Sequence, residues 1–514
     1  MTSDWLLIAP SALGLAAWWA GREDRREGCS PVLLALLFAA WLPLALAVWV
    51  RPAGGSWTAA TPLRLAMLGL VLAVGFALVG FSRRYLAGEA RASYYRRWLL
   101  ATLASVSLTV LADHLLLFWI GWAAISLAIH RLLLFYPDRP RAVLAAHKKF
   151  LFARAAEALL LFAFALLWAA HGEVGIEALA AQFAAGSALG GPDRLAALLL
   201  AAAALIKCAQ LPLHGWLIQV VESPTPVSAL LHAGVINFGG FLLVLFAPLV
   251  LQVPEARWLL LLGGGLSMAL AALIMTTRIS VKVRLAWSTC AQMGLMLVEC
   301  ALGLLELALL HLFAHSAYKA YAFLASGEEV LEDLARRVAP AAVPRGLDWL
   351  WGALGALLCT GAAAHLWGPA PWSVWLLLGL ALALLVAERG GVRLRPAPWG
   401  SWALAGGLVL AYGVGKGAAA GLVEIPPHWR SAPLSAADLW VASLIAALAA
   451  TAWALRYRAH HPWVERLSTA LFAGLNLDEW ATRLTLYLWP VRLPTGHSGK
   501  RHRIRLLQRS STGD

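Results

Sequence analysis

The chain has 514 residues, of which 61% are apolar and 13% charged, with a mean hydropathy of +0.73. Soluble domains lie nearer about 45–50% apolar and about 25% charged, so a water-soluble enzyme, a disordered chain, a disulfide scaffold and a fibrous repeat are excluded. The formal net charge is +14; with no soluble domain to carry a basic face, it points to membrane topology and not to nucleic-acid binding.

Hydropathy marks candidate spans, in chain order, at 5–20, 31–50, 62–81, 98–112, 115–136, 150–170, 194–213, 226–250, 257–276, 283–301, 303–326, 346–366, 372–388, 401–423 and 436–457. The expected architecture is an all-α polytopic membrane protein with about 15 transmembrane helices, because only helices satisfy their own backbone inside lipid. No basic n-region precedes the first stretch, so it reads as a retained span and not as a signal peptide. Cys29, Cys208, Cys290, Cys300 and Cys359 are scattered without a CxxC pair, which leaves zinc-knuckle and iron–sulfur readings without ligands.

The connections between spans test that count. Basic residues gather in alternate connections: Arg22, Arg25 and Arg26; Arg83, Arg84, Arg91, Arg96 and Arg97; Arg139, Arg141, Lys148, Lys149 and Arg154; Arg278, Lys282 and Arg284; Arg336, Arg337 and Arg345; Arg389, Arg393 and Arg395; and the C-terminal tail. The other connections hold only Arg51, Arg64, Arg194, Arg257 and Arg430. By the positive-inside rule the N-terminus is outside and the tail cytoplasmic. The tail, basic from Gly496 to Arg509, could also touch anionic lipid. Many of the 26 tryptophans sit at span ends as interfacial anchors. Segment 171–191 is expected as an outer loop and 327–345 as the longest charged inner loop. Segment 461–490 is expected as an amphipathic surface helix, since Asp478, Glu479 and Arg483 interrupt any sixteenth span. The chain then divides into N-terminal helices (1–97), a core (98–330), C-terminal helices (331–460) and an amphipathic segment with a basic tail (461–514).

Ionisable groups inside spans cost roughly 2.5–3.5 kcal/mol each on insertion scales, so those present call for a reason. Lys207 lies in ALIKCAQLPLHGW, five residues before Pro212. Pro212 removes an amide donor, and a helix broken at membrane depth lines a cavity or a buried site. A lysine beside such a break fits an ion relay; its distance from the cytoplasmic end also fits a snorkelling anchor. Pro224 and Pro226 in ESPTP enforce a non-helical link, and His232 follows one to two turns later. His311, His315 and Lys319 recur every four residues, which places them on one helix face. Three titratable groups in a row fit a proton path; zinc would need further ligands, and none stands out. Asp113 and His114 begin the fifth span. Glu157 follows Arg154 by three residues, a helical ion-pair spacing. Glu299 and Glu306 are expected at the interface, Asp438 and Glu388 at span ends, and Lys416 inside a span with no partner that the sequence names.

Three ordered motifs carry a resemblance: VLADHLLLFWIGW (Val110–Trp122), KCAQLPLHGWLIQVVESPTPVSALLHAG (Lys207–Gly234), and RISVKVRLAWSTCAQMG with HLFAHSAYKAYAFLASG (Arg278–Gly294, His311–Gly327). Over 98–330 the chain resembles the antiporter-like membrane subunits of respiratory complex I and Mrp-type cation/proton antiporters. The resemblance implies two inverted five-helix repeats with a broken helix in each. It gives Lys207 the part of the broken-helix lysine, His232 that of the relay histidine, Lys282 that of the central lysine, and His311, His315 and Lys319 that of the link between the halves. Two departures stand out. Ala123 replaces the usual fifth-span glutamate, leaving Asp113 or Glu157 as the substitute carboxylate. Span 346–366 offers His365 in place of the second broken-helix lysine. These losses and the C-terminal NLDEWATRLTLYLWPVRLP look more like the membrane subunit of the two-component DAB-type inorganic carbon pump. That resemblance implies a cation-translocating, non-enzymatic subunit of the bacterial inner membrane. It would carry no cofactor itself and would power a large cytoplasmic partner whose zinc site is similar to β-carbonic anhydrase. A proton-pumping subunit of a complex I-like oxidoreductase or an Mrp antiporter is the alternative.

Overall fold

The computed structural model describes residues 6–20, 31–37, 39–41, 53–54, 57–328, 344–368, 370–389, 398–423, 426 and 429–491. Among these residues strand is confined to Ala53–Gly54, paired antiparallel with Ala59–Ala60; the rest is helix and connections. Eight helices are long and apolar enough to cross a membrane: Pro62–Tyr85, Leu115–Leu133, Pro140–His171, Thr225–Leu245, Pro254–Thr276, Gly346–Trp367, Trp399–Ala420 and Ala436–Tyr457. Further helices occupy Ile8–Ala20, Ala92–Leu111, Gly191–Lys207, Val281–Ala301, Leu305–Leu324 and Trp372–Arg389. The protein is therefore an all-α membrane protein. The arginines at 22–26, the second half of span 31–50, most of the inner loop 327–345 and the tail 496–509 fall outside the described residues.

Local chemistry sets the helix starts. Proline stands in the first turn at Pro62, Pro140, Pro192, Pro254 and Pro462, where its missing amide costs nothing. Asp438, expected as a mere span end, joins two helix starts: its carboxylate accepts from the amides of Trp372, Ser373 and Leu434 at 2.8, 2.8 and 2.9 Å.

Four stretches depart from the hydropathy reading. Helix Pro140–His171 begins ten residues before the expected 150, because Lys148 and Lys149 depress local hydropathy yet are buried. Segment 171–191 contains the helix Ile176–Ala184. Segment 461–490 forms two helices, Pro462–Phe472 and Glu479–Leu488, divided by left-handed backbone at Gly474, Leu475 and Asn476. Finally, the span over 226–250 is interrupted: Thr225–Ala233 gives way at Gly234 to a 3₁₀ turn, Val235–Asn237, before Phe238–Leu245.

Burial places this interrupted helix at the centre. It is 94% buried, against 22% for Gly346–Trp367, Trp399–Ala420 and Ala436–Tyr457. Those peripheral helices turn large side chains such as Leu357, Leu358 and Val414 outward, as lipid-facing surface permits. Helices Pro254–Thr276 and Val281–Ala301 approach closely through Gly264 and Gly294. A Cβ on Gly294 would sit 2.5 Å from the Gly264 carbonyl oxygen and 2.9 Å from Gln210 Oε1. Gly294→Ala is expected to cost about 1–3 kcal/mol by overpacking. Thermal unfolding of the detergent-purified chain reads that loss; an unchanged melting curve would show that the two helices have room to separate.

Candidate functional site

The first break is built by local sequence. Helix Gly191–Lys207 stops where Ala209 turns left-handed (φ 51°), and helix resumes only at Gly215–Gln219. Pro212 sits inside this break. Neighbours satisfy the freed backbone: Ser267 Oγ accepts from the Leu211 amide at 2.9 Å, and Gln210 Nε2 donates to the Cys208 carbonyl at 2.7 Å. Unlike Pro212, Pro224 and Pro226 break no helix. Pro224 caps Thr225–Ala233 in extended backbone, and Pro226 stands in that helix's first turn. The second interruption is at Gly234, which the sequence reading missed.

Lys207 points from the first break into the protein, 9% exposed, with Nζ 4.3 Å from the centre of the Trp122 ring. Glu157 approaches from helix Pro140–His171. Its carboxylate pairs with Arg154 at 2.7 Å and lies in the electrostatic field of both Lys207 and Lys149. Lys149 Nζ donates to the Ser126 carbonyl at 2.7 Å. Trp122, Ser126, Lys149, Lys207 and Trp216 line a cavity of about 20 Å³, room for one water. Glu157 thus lies on the helix packed against the one that ends at Lys207. Asp113 lies on Arg64 at 3.3 Å and the Glu177 amide at 3.0 Å, where it fastens the connections at that end of the helices.

The second constellation centres on helix Leu305–Leu324. His311 Nδ1 meets Glu299 at 2.9 Å, and the His311 and His315 rings are 6.0 Å apart. His315, one turn further along the same face, is buried, and its Nε2 has no protein partner. Lys319, fully buried, donates to the Leu285 carbonyl at 3.0 Å. Asn237, in the second interruption, donates to Ser316 Oγ at 2.7 Å. His232 stacks on Phe323 at 4.4 Å, and neither of its ring nitrogens has a protein partner. Lys282 stands apart from this line, half-buried, donating to Thr225 Oγ1 at 2.7 Å. Glu299, Lys149 and Ser316 join the predicted residues without having been singled out. Glu299 and Glu306 flank the turn Leu302–Leu304 and are buried in the protein. Lys416 has a partner after all: Glu306 lies 3.9 Å from it and 3.0 Å from Arg430.

A family model described as "NADH:quinone oxidoreductase/Mrp antiporter, TM" matches residues 112–339, which contain both constellations. The chain is 47% identical to the "Probable inorganic carbon transporter subunit DabB" of Hydrogenovibrio crunogenus, over 92% of this chain and 91% of that protein. The chain belongs to the DabB family of antiporter-like membrane subunits. It is also 34% identical to NADH-quinone oxidoreductase subunit L of Escherichia coli, over 52% of this chain and 44% of that one. The Mrp complex from Dietzia sp. DQ12-45-1b has the same fold, with a TM-score of 0.58 at 22% identity, covering 98% of this chain and 59% of that one.

Within this DabB-family chain, the two constellations sit at the two interrupted helices. Each interruption is lined by buried titratable side chains, which are costly to keep in a membrane span. The sequence held a usable signal for Glu299: a short turn, Leu302–Leu304, folds helix Val281–Ala301 back against Leu305–Leu324 and so brings residue 299 beside residue 311.

Proposed function

We propose that this chain is the cation-translocating membrane subunit of an inorganic carbon uptake complex, and that the cation is the proton. The observation that carries this reading is the near full-length likeness to a relative named as an inorganic carbon transporter subunit. The buried line of lysine and histidine supports the translocation half. Protons enter from outside past Glu299, His311 and His315 to His232 and Lys319, and leave for the cytoplasm by way of Lys207. Displacement of a protonated lysine or histidine drives a large cytoplasmic DabA-like partner, whose zinc site, similar to that of carbonic anhydrases, hydrates CO2 and traps it as bicarbonate. The subunit itself performs no reaction. It lies in the inner membrane with its N-terminus outside and its basic tail in the cytoplasm, and Glu157 serves as the carboxylate missing at Ala123.

Affinity purification from mild detergent should bring down one large soluble zinc protein in stoichiometric amount. Cells lacking carbonic anhydrase and carrying both chains should accumulate labelled bicarbonate, and a protonophore should abolish that accumulation. Accumulation indifferent to the protonophore would overturn proton coupling. The second reading, a proton-pumping subunit of a complex I-like oxidoreductase or an Mrp antiporter, is favoured by the family match over 112–339. It calls for many small membrane subunits in the same purification, together with quinone-linked or sodium-linked activity.

A further inference from the structure

The path just proposed has no assigned residue between Lys207 and the cytoplasm, and the C-terminal helix pair supplies one. The turn between Pro462–Phe472 and Glu479–Leu488 is held against the body of the protein from two sides. Arg278 donates to the carbonyls of Phe472 and Leu471 at 2.8 and 3.1 Å. Lys148, whose side chain is wholly buried, reaches Asp478 Oδ2 at 2.6 Å and Thr482 Oγ1 at 2.8 Å. Gln219, on the short helix just past the first break, donates to the same Asp478 oxygen at 3.1 Å.

Between the pair and the broken helix lies a cavity of about 400 Å³, lined in part by His214, Gln219, Arg278, Asp478, Glu479 and Arg483. Its rim is exposed: the Arg483 and Glu479 side chains are 81% and 58% accessible. Its inner wall includes His214, 2% exposed, at the start of the helix that follows the break. Two atoms of residues that line this cavity are buried and without a partner, His214 Nδ1 and Asp478 Oδ1. The carboxylate also sits against Gly215, where a Cβ would collide with it.

A clasp alone would use both carboxylate oxygens on donors, since an unsatisfied buried acceptor is costly. Here one oxygen takes every donor and the other lies against Gly215, the residue that follows His214. We infer that Asp478 is the proton acceptor on the cytoplasmic side of the first break, an inference that rests on the translocation reading above. A proton arriving at His214 from the Lys207 side moves to Asp478 Oδ1, leaving the imidazole neutral and the carboxyl protonated. Release of that proton to the cavity water restores the carboxylate and its ion pair with Lys148. The C-terminal pair, outside the segment that matches the antiporter family model, thereby completes the exit.

The test uses the full chain with its soluble partner in cells lacking carbonic anhydrase. Asp478→Asn keeps an oxygen for Lys148 and Gln219 but takes no proton. Bicarbonate accumulation, normalised to the yield of the complex, should fall about 100-fold or more, the usual scale for a lost proton-transfer group. Gly215→Ala, which drives the carboxylate out, should fall likewise. Lys148→Gln breaks the ion pair and leaves the carboxylate, so it should lower accumulation less than Asp478→Asn. Equal losses in Asp478→Asn and Lys148→Gln, or wild-type accumulation in Asp478→Asn, would overturn the assignment. Lys207→Met run in parallel separates the two claims: if it abolishes accumulation and Asp478→Asn does not, only the Asp478 assignment falls, whereas if it leaves accumulation intact the translocation reading itself falls.

Discussion

Lys207→Met should reduce gradient-driven bicarbonate accumulation about 100-fold or more, on the scale of losing a central proton-transfer group, while the protein remains folded and bound to its partner. The fold survives because the energetic terms oppose one another. Methionine forfeits a cation–π contact with Trp122, worth about 0.5–2 kcal/mol, and removes a buried ammonium that costs roughly 2.5–3.5 kcal/mol to place at depth. Glu157 keeps its counter-ion, because Arg154 holds it at 2.7 Å. Lys207→Arg separates two meanings of the residue. Arginine supplies the positive charge but does not release its proton inside a protein. If the lysine works by handing on a proton, Lys207→Arg fails as completely as Lys207→Met; if only a fixed charge is needed, arginine restores accumulation. Labelled bicarbonate measured beside the yield of the co-purified complex gives both results. Full accumulation in Lys207→Met would reduce the buried lysine to a structural group.

What the sequence makes legible here is short-range. Lys207 and Pro212 are five residues apart, so the first break can be read along one helix. His311, His315 and Lys319 share a face because four residues are close to one turn. The remainder depends on contacts that no local pattern encodes. Asp478 meets Lys148 across 330 positions, and its charge looked only like the reason a sixteenth span fails. Lys148 and Lys149 raised the apparent polarity of a segment that is in fact buried helix. Asp113 and Glu157 were equal candidates on spacing; only the fold shows Asp113 on Arg64 and Glu157 on Arg154. The interruption at Gly234 carries no proline. Its backbone turns where Asn237 can bond both the Ala233 carbonyl and Ser316, a choice made by a neighbouring helix.

His232→Phe should move stability and transport in opposite directions. The imidazole is fully buried, lies nearly parallel to Phe323 at 4.4 Å, and has no protein partner for either nitrogen. Leaving a buried polar group unpaired costs about 1–3 kcal/mol. A phenyl ring of similar size would keep the aromatic contact and remove that cost, so the variant should unfold at a higher temperature than the parent chain. Transport should nevertheless be lost. Phenylalanine carries no proton, and the ring stands where helix Thr225–Ala233 meets helix Leu305–Leu324 at Phe323. A gain in stability with loss of function is what a site kept for chemistry predicts; a histidine kept for packing predicts neither. Differential scanning fluorimetry on the purified chain and bicarbonate accumulation in cells measure the two arms. A lower melting temperature would mean that the imidazole has hydrogen-bond partners in the membrane, and accumulation at the parent level would remove His232 from the proton path.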